Sequence, residues 1–334
     1  MIEGHGDDRF RYADIRMNFS SNIYGHADLS ELYRFMHGRM DSIASYPAPS
    51  PKELEHELAR EYEVDEENVM VTNGATEAIY HTASTLRAFG HKTYKVFHPT
   101  FSEYADASRI YGYAYADDAH VCWLCNPNNP TGGGTDRTGV EQLAERHPWL
   151  VVDLSYEDYT LQPMMSAKEL LALPQVIQIR SLTKRYAVPG LRLGFIIAPT
   201  DIIAILKRFF RPWAISSLAL EGGVWLLTHR QVNMPDRQSY LGEAQRLRSL
   251  LNEVDGIEVM PTATNFMLCT IRQATSAQLK EHLATHHGML IRDASNFEGL
   301  TDHHFRVAAQ LPEENDALVA AIRDYLNGGN GIRP

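Results

Sequence analysis

The chain is poor in cysteine, has no long apolar run and is short of positive charge, and each shortage closes off a class of protein. Three of its 334 residues are cysteine, too few for the disulfide framework of a small secreted domain. Cys122 and Cys125 are spaced C-x-x-C, but they fall in the apolar run H-V-C-W-L-C. That run reads as a buried strand, on which residues three apart face opposite ways. No second Cys/His cluster lies nearby, so neither metal nor redox use is expected. No apolar stretch reaches the ~18 residues of a membrane span, and the polar, charged start shows no secretory pattern. A cytoplasmic protein with no membrane partner is expected. Internal repeats, low-complexity tracts and long linkers are also missing. The net charge of −11 argues against nucleic acid as a partner. An anionic substrate would have to be drawn by a local arginine cluster. With 44% hydrophobic and 22% charged residues, the composition is ordinary for a globular chain long enough to form two domains.

What is there is organised around Arg180 to Phe195, R-S-L-T-K-R-Y-A-V-P-G-L-R-L-G-F. This segment joins two apolar strands, Val176 to Ile179 and Leu193 to Ala198. Pro189 and Gly190 force a turn between them, which can bring Arg192 back beside Lys184. The hydroxyls of Ser181 and Thr183 and the Arg192 guanidinium suit a phosphate dianion. The Lys184 amine suits covalent attachment to an aldehyde. Pyridoxal phosphate carries both groups.

Other stretches point the same way. A strand at Val69 to Thr72 runs into N-G-A-T-E and an apolar helix to about Ala88. Its glycine turn and helix N-terminus make Gly74, Ala75 and Thr76 an anion site. A strand from Tyr94 to His98 ends in P-T-F-S-E-Y. A third, His120 to Cys125, ends in N-P-N-N-P-T-G, a loop stiffened by two Asn-Pro pairs. A fourth, Trp149 to Val152, ends at Asp153 in D-L-S-Y, where a carboxylate would face the ligand crevice of an α/β sheet. A carboxylate there would keep a pyridine nitrogen protonated. Ahead of these lie a helix from Leu29 to Arg39 and a second with Ser50 as N-cap, Pro51 at N1 and Glu53 at N3. Behind them come helices near Leu218 to Thr228 and Tyr240 to Val254, and strands at Asn265 to Thr270, Met289 to Arg292 and Phe305 to Ala308. A last helix runs from Pro312 to Asn327.

In this order the motifs resemble the fold-type I, class I/II aminotransferases. The segment S-L-T-K-x-Y-A-x-P-G-L-R-L-G is most similar to histidinol-phosphate aminotransferases and to the threonine-phosphate decarboxylases of cobalamin synthesis. The resemblance implies an α/β protein: a three-layer large domain with a mostly parallel sheet, plus a smaller α+β domain. Residues 1–45 would form an arm and part of the small domain, 46–215 the large domain, and 216–334 the rest of the small one. It implies a homodimer with a shared active site and pyridoxal phosphate on Lys184. Asp153 would face the ring nitrogen, and Asn129 and Tyr156 the phenolic oxygen. Tyr104, with Phe101 as the alternative, would stack on the ring. Gly74, Ala75, Thr76, Ser181, Thr183 and Arg192 would hold the phosphate, with Tyr46 reaching across from the partner subunit. Arg292, Arg306, His5 and Asn22, with Ser21 beside it, would meet a small phosphorylated amino-acid substrate.

Three functions stay open. Decarboxylation of L-threonine O-3-phosphate is favoured by the opening H-G, by P-W after the lysine, and by the block I-R-x-x-x-N-x-x-G-L-(x)5-F-R-V-A. Transamination of histidinol phosphate is the alternative. A module that binds the cofactor without turnover is the third. The chain departs from the family at N-I-Y-G, where N-I-N-P-x-G is usual, and at Leu154 and Ser155. The segment from Tyr113 to Ala119 is trimmed, which implies a lost hairpin or helix.

Overall fold

Buried side chains alternate in direction along most of the strands, and this builds one sheet with two covered faces. A computed structural model describes residues 6–229 and 234–328. Its largest sheet has seven strands, in the spatial order Val69–Thr72, Gly194–Ile197, Val176–Ser181, Trp149–Asp153, Val121–Cys125, Thr93–Lys95 and Ala114–Tyr115. All run parallel except Gly194–Ile197, which is antiparallel to both neighbours. On one face Met70, Trp123, Val151, Ile177 and Ile196 share a core with helices Gly74–Ala88, Glu103–Ile110 and Thr200–Lys207. On the other face Val69, Phe195 and Ile197 meet helices Lys52–Tyr62 and Ser217–His229, while Leu124, Leu150 and Val152 meet Arg137–Arg146 and Ala167–Leu171. This is the three-layer α/β arrangement that the sequence implies. Cys122 and Cys125 fall in different cores, on opposite faces, and both are free and buried.

A second, antiparallel sheet runs in the order Arg292–Asp293, His304–Ala308, Phe266–Ile271 and Ile257–Val259. Helices Arg237–Asn252, Ser276–His287 and Pro312–Gly328 cover it. The arm joins this layer: Met17–Asn18 pairs in parallel with Met289–Leu290, and the Ala308 N–H donates to Phe19 O at 2.8 Å. Among the described residues no helix is long and apolar enough to cross a membrane.

Several expectations shift. Helix Ser217–His229 packs through Trp225 and Leu226 on the core of the large sheet, so the change of core comes nearer Tyr240 than residue 216. The strand expected over Met289 to Arg292 is two strands, one paired with the arm and one with His304–Ala308. Tyr94 to His98 shortens to Thr93–Lys95, and the trimmed segment supplies a two-residue edge strand. Ser50 caps nothing: the helix begins at Lys52, after Pro51, with no side-chain cap.

One close approach fixes the rim of the large sheet. A Cβ built on Gly194 would lie 2.4 Å from Ala75 N and from Gly74 C, so only glycine lets this strand meet the start of helix Gly74–Ala88. Gly194→Ala is expected to lower unfolding stability by at least about 2 kcal/mol, read by urea denaturation. A change below a few tenths would show that the contact can relax.

Candidate active site

A cavity of about 400 Å³ opens where the parallel strands end, with the arm and the antiparallel sheet as its far walls. Cys125, Asp153 and Ser181 bring three strand ends to this rim, the place where open α/β sheets bind ligands. Lys184 and Asp153 both line it.

Lys184 sits on the one-turn helix Leu182–Arg185 that follows the strand ending at Ser181. Its Nζ donates to Ser21 O at 3.2 Å and lies 5.8 Å from the Tyr156 ring centroid. Burial, then the charge of Arg306, pushes the amine down to about 8, while Asp7 and Asp153 pull the other way. Asp153 is 4% exposed. Its Oδ2 accepts from the Tyr104 hydroxyl at 2.7 Å and its Oδ1 from the Ser155 N–H at 2.9 Å. Burial raises the Asp153 carboxyl above the usual carboxylate range, against these bonds and the charge of Lys184.

At one end of the cavity Ala75 and Thr76 present the N-terminus of a fifteen-residue helix. Gly74 takes a positive φ of 82°, and a Cβ there would lie 2.7 Å from an Arg192 guanidinium nitrogen. Arg192 itself is left-handed, φ 57°, with Nη1 donating to Pro189 O at 3.2 Å. Ser181 and Thr183 line the same wall. Backbone N–H groups, two hydroxyls and a guanidinium form a set of donors for a phosphate.

At the other end Arg292 and Arg306 are direct partners across two strands. Arg306 donates through Nη1 to Asn129 Oδ1 and through Nη2 to Ser20 O at 2.7 Å, and its buried Nε has no partner among the described residues. With Asn129 Oδ1 occupied, Nδ2 is the donor left for a ligand. Arg292 donates to Asn296 Oδ1 at 2.7 Å and lies over the Phe297 ring. Burial lowers both guanidinium groups to about 10, and for Arg292 the neighbouring Arg306 adds to it. Asn22, buried with φ 56°, donates to the Tyr156 hydroxyl at 3.4 Å, and its Oδ1 has no partner among the described residues. Burial pushes that hydroxyl up to about 12.

Most of the residues named from the sequence therefore line one cavity, though Gly74 and Asn22 do not. Tyr104 lines the cavity with one ring face on Trp123 and its hydroxyl on Asp153, and half-buried Phe101 lines it beside Tyr104. Tyr46 is 86% exposed, tilted against Trp213, and does not line the cavity. His5 lies outside the described residues. The sequence reading missed Asp7, Ser20, Cys125 and Asn296, all on the cavity wall. Cys125 could have been found as the last residue of its strand; nothing in the pattern marks Asp7.

The two ends of the cavity fit the two ends of pyridoxal phosphate: phosphate donors around Gly74, a buried carboxylate and a suppressed amine between them and the arginines. The comparisons agree. The family model for aminotransferase class I and II matches residues 14–120 and 113–322. The crystal structure of L-threonine-O-3-phosphate decarboxylase from Porphyromonas gingivalis has a TM-score of 0.88 and 31% identity, covering 93% of this chain and 99% of that one. A threonine-phosphate decarboxylase of Salmonella typhimurium is 28% identical over 94% of this chain and 92% of its own length. A histidinol-phosphate aminotransferase of Caldanaerobacter subterraneus is 29% identical over 84% of each. The cofactor is pyridoxal phosphate, and the alternative of a module without turnover falls away. The chain is an enzyme of the class I and II aminotransferase family.

Proposed function

We propose that this enzyme removes carbon dioxide from L-threonine O-3-phosphate, giving (R)-1-amino-2-propanol O-phosphate. The observation that carries this is the pair of buried guanidinium groups, Arg292 and Arg306, set side by side on the cavity wall. Two fixed guanidinium groups suit a substrate with two anionic ends, a carboxylate and a phosphate. The Porphyromonas gingivalis and Salmonella proteins carry this activity in their names. Histidinol phosphate has one anionic end, yet a protein named for its transamination is as similar in sequence, and it stands as the second reading.

Pyridoxal phosphate, when bound, supplies a sink for the electron pair left on Cα as a bond breaks. The rest is done by this chain. Lys184 Nζ, lowered to about 8, holds the cofactor and can return a proton to Cα. The Asp153 carboxylate holds the proton on the ring nitrogen. Asn129 and Tyr156 serve the phenolic oxygen, and Gly74, Ala75, Thr76, Ser181, Thr183 and Arg192 the phosphate. Arg292 and Arg306 grip the substrate's anions and so decide which Cα bond is broken, with Asn22 and Ser21 on the arm side. We place Tyr46 across a homodimer interface at the partner's phosphate; its exposure beside Trp213 supports that.

Two measurements follow. The enzyme loaded with cofactor and given phosphothreonine should release carbon dioxide and aminopropanol phosphate in equal amounts. Absence of both, with turnover of histidinol phosphate and 2-oxoglutarate instead, would install the second reading. The amine makes a prediction of its own in the protein stripped of cofactor. Its folded pKa of about 8 lies below the ordinary value of 10.5, so below pH 8 the folded state carries a charge it disfavours, and stability rises as pH climbs from 8 to 10.5. Lys184→Met should therefore raise the apoprotein's melting temperature at pH 7, with the gain shrinking across that window. A gain that does not vary with pH would mean the amine is not suppressed.

A further inference from the structure

We infer that Tyr104 is a positioning residue whose hydroxyl holds the Asp153 carboxylate ionised and aimed into the cavity. This rests on the cofactor reading of the site above and extends it to a hydroxyl that acts through the carboxylate.

Asp153 faces a conflict. It must be an anion to hold a proton on a pyridine nitrogen, yet it is almost fully buried, and burial favours the neutral acid. The donors around it answer this. The Tyr104 hydroxyl reaches Oδ2 at 2.7 Å and the Ser155 N–H reaches Oδ1 at 2.9 Å. The Ser155 hydroxyl adds a further side-chain hydrogen bond to this carboxylate. Hydrogen bonds to an ionised acceptor are about twice as strong as neutral ones. The other titratable groups that face Asp153 are Lys184, Cys125 and Tyr156. The Cys125 thiol and the Tyr156 hydroxyl are both pushed up to about 12 and stay neutral. Lys184 is thus the one cation among them, and covalent use of its amine removes that charge. The Tyr104 hydroxyl remains when the lysine charge is gone.

Tyr104 is also fixed more firmly than a stacking aromatic needs to be. It is 1% exposed. Its ring lies on Trp123 at 5.6 Å and 15°, and Phe101 meets it edge-on at 5.7 Å and 82°. The Trp123 indole N–H donates to Ser108 Oγ at 3.2 Å, and Ser108 Oγ donates to Tyr104 O at 2.7 Å. One indole therefore supports the ring by stacking and the backbone through a hydroxyl. What these contacts hold in place is the direction of one O–H bond.

The test separates hydroxyl from ring. Tyr104→Phe keeps the ring and removes the donor. In the full chain it should weaken binding of pyridoxal phosphate by about tenfold, the loss of one hydrogen bond to a charged group. With ¹⁵N-labelled cofactor bound, it should shift the ring-nitrogen resonance toward that of neutral pyridine. On an Asp153→Asn background the same change should do neither, because the hydroxyl acts through the carboxylate. 3-Fluorotyrosine at 104, a more acidic donor of the same shape, should move the resonance the opposite way; this arm also serves if the phenylalanine variant folds poorly. Equal losses on both backgrounds, or a resonance that moves in neither variant, would overturn the inference and return Tyr104 to a stacking role. If Asp153→Asn alone leaves cofactor affinity and the resonance unchanged, the cofactor reading fails, and this inference with it.

Discussion

Four cationic side chains, Lys184, Arg192, Arg292 and Arg306, line one cavity of a chain whose net charge is −11. Charges taken out of water must find partners, and the carboxylates on that wall include Asp153 and Asp7, both of which act on Lys184. Asp153 is held by Tyr104 and Ser155, and Asp7 accepts from Asn18 Nδ2 at 2.6 Å. Those bonds come from neutral donors and leave the carboxylate charges in place, so four cations still face three acids, Asp7, Glu103 and Asp153, on this wall, a balance that suits an anionic ligand. The suppressed amine of Lys184 follows from the same crowding: positive neighbours and burial leave it readier to lose its proton.

The arginine end of the cavity is built from three distant parts of the chain. Arg306 comes from the antiparallel sheet, Asn129 from the loop after a strand of the large sheet, and Ser20 from the arm, and one guanidinium bonds both of the others. The arm is tied down further by Asp8, which meets Lys280 Nζ at 2.5 Å with both side chains largely buried. The loop is tied as well: Ala263 N–H donates to Gly132 O at 3.0 Å. Neither sheet alone contains a site.

What was legible in the sequence was whatever depends on local chemistry. Pro189 and Gly190 announce a turn, and Arg192 duly returns to the rim beside Lys184. Strand ends announce themselves where an apolar run stops, so Asp153 and Asn129 could be named. The directions of side chains could not. Tyr104 and Phe101 both follow one strand and both line the cavity, and only the position of Trp123, nineteen residues further on, covers a face of Tyr104. Asp7 enters the site because the arm pairs with Met289–Leu290, a contact between residues too far apart in sequence to show as a pattern. Tyr46 has its proposed place only beyond the surface of its own subunit.

One strand of the large sheet, Gly194–Ile197, runs against all the others. Had it run with them, the residues just before it would emerge at the opposite edge, about 13 Å away at the rise of a four-residue strand. Its reversal is what puts the loop carrying Arg192 on the same side as the parallel strands' outgoing ends. The amine of Lys184 and the guanidinium of Arg192 are thus carried to one rim by one short hairpin connection, so a single insertion in that connection would displace both.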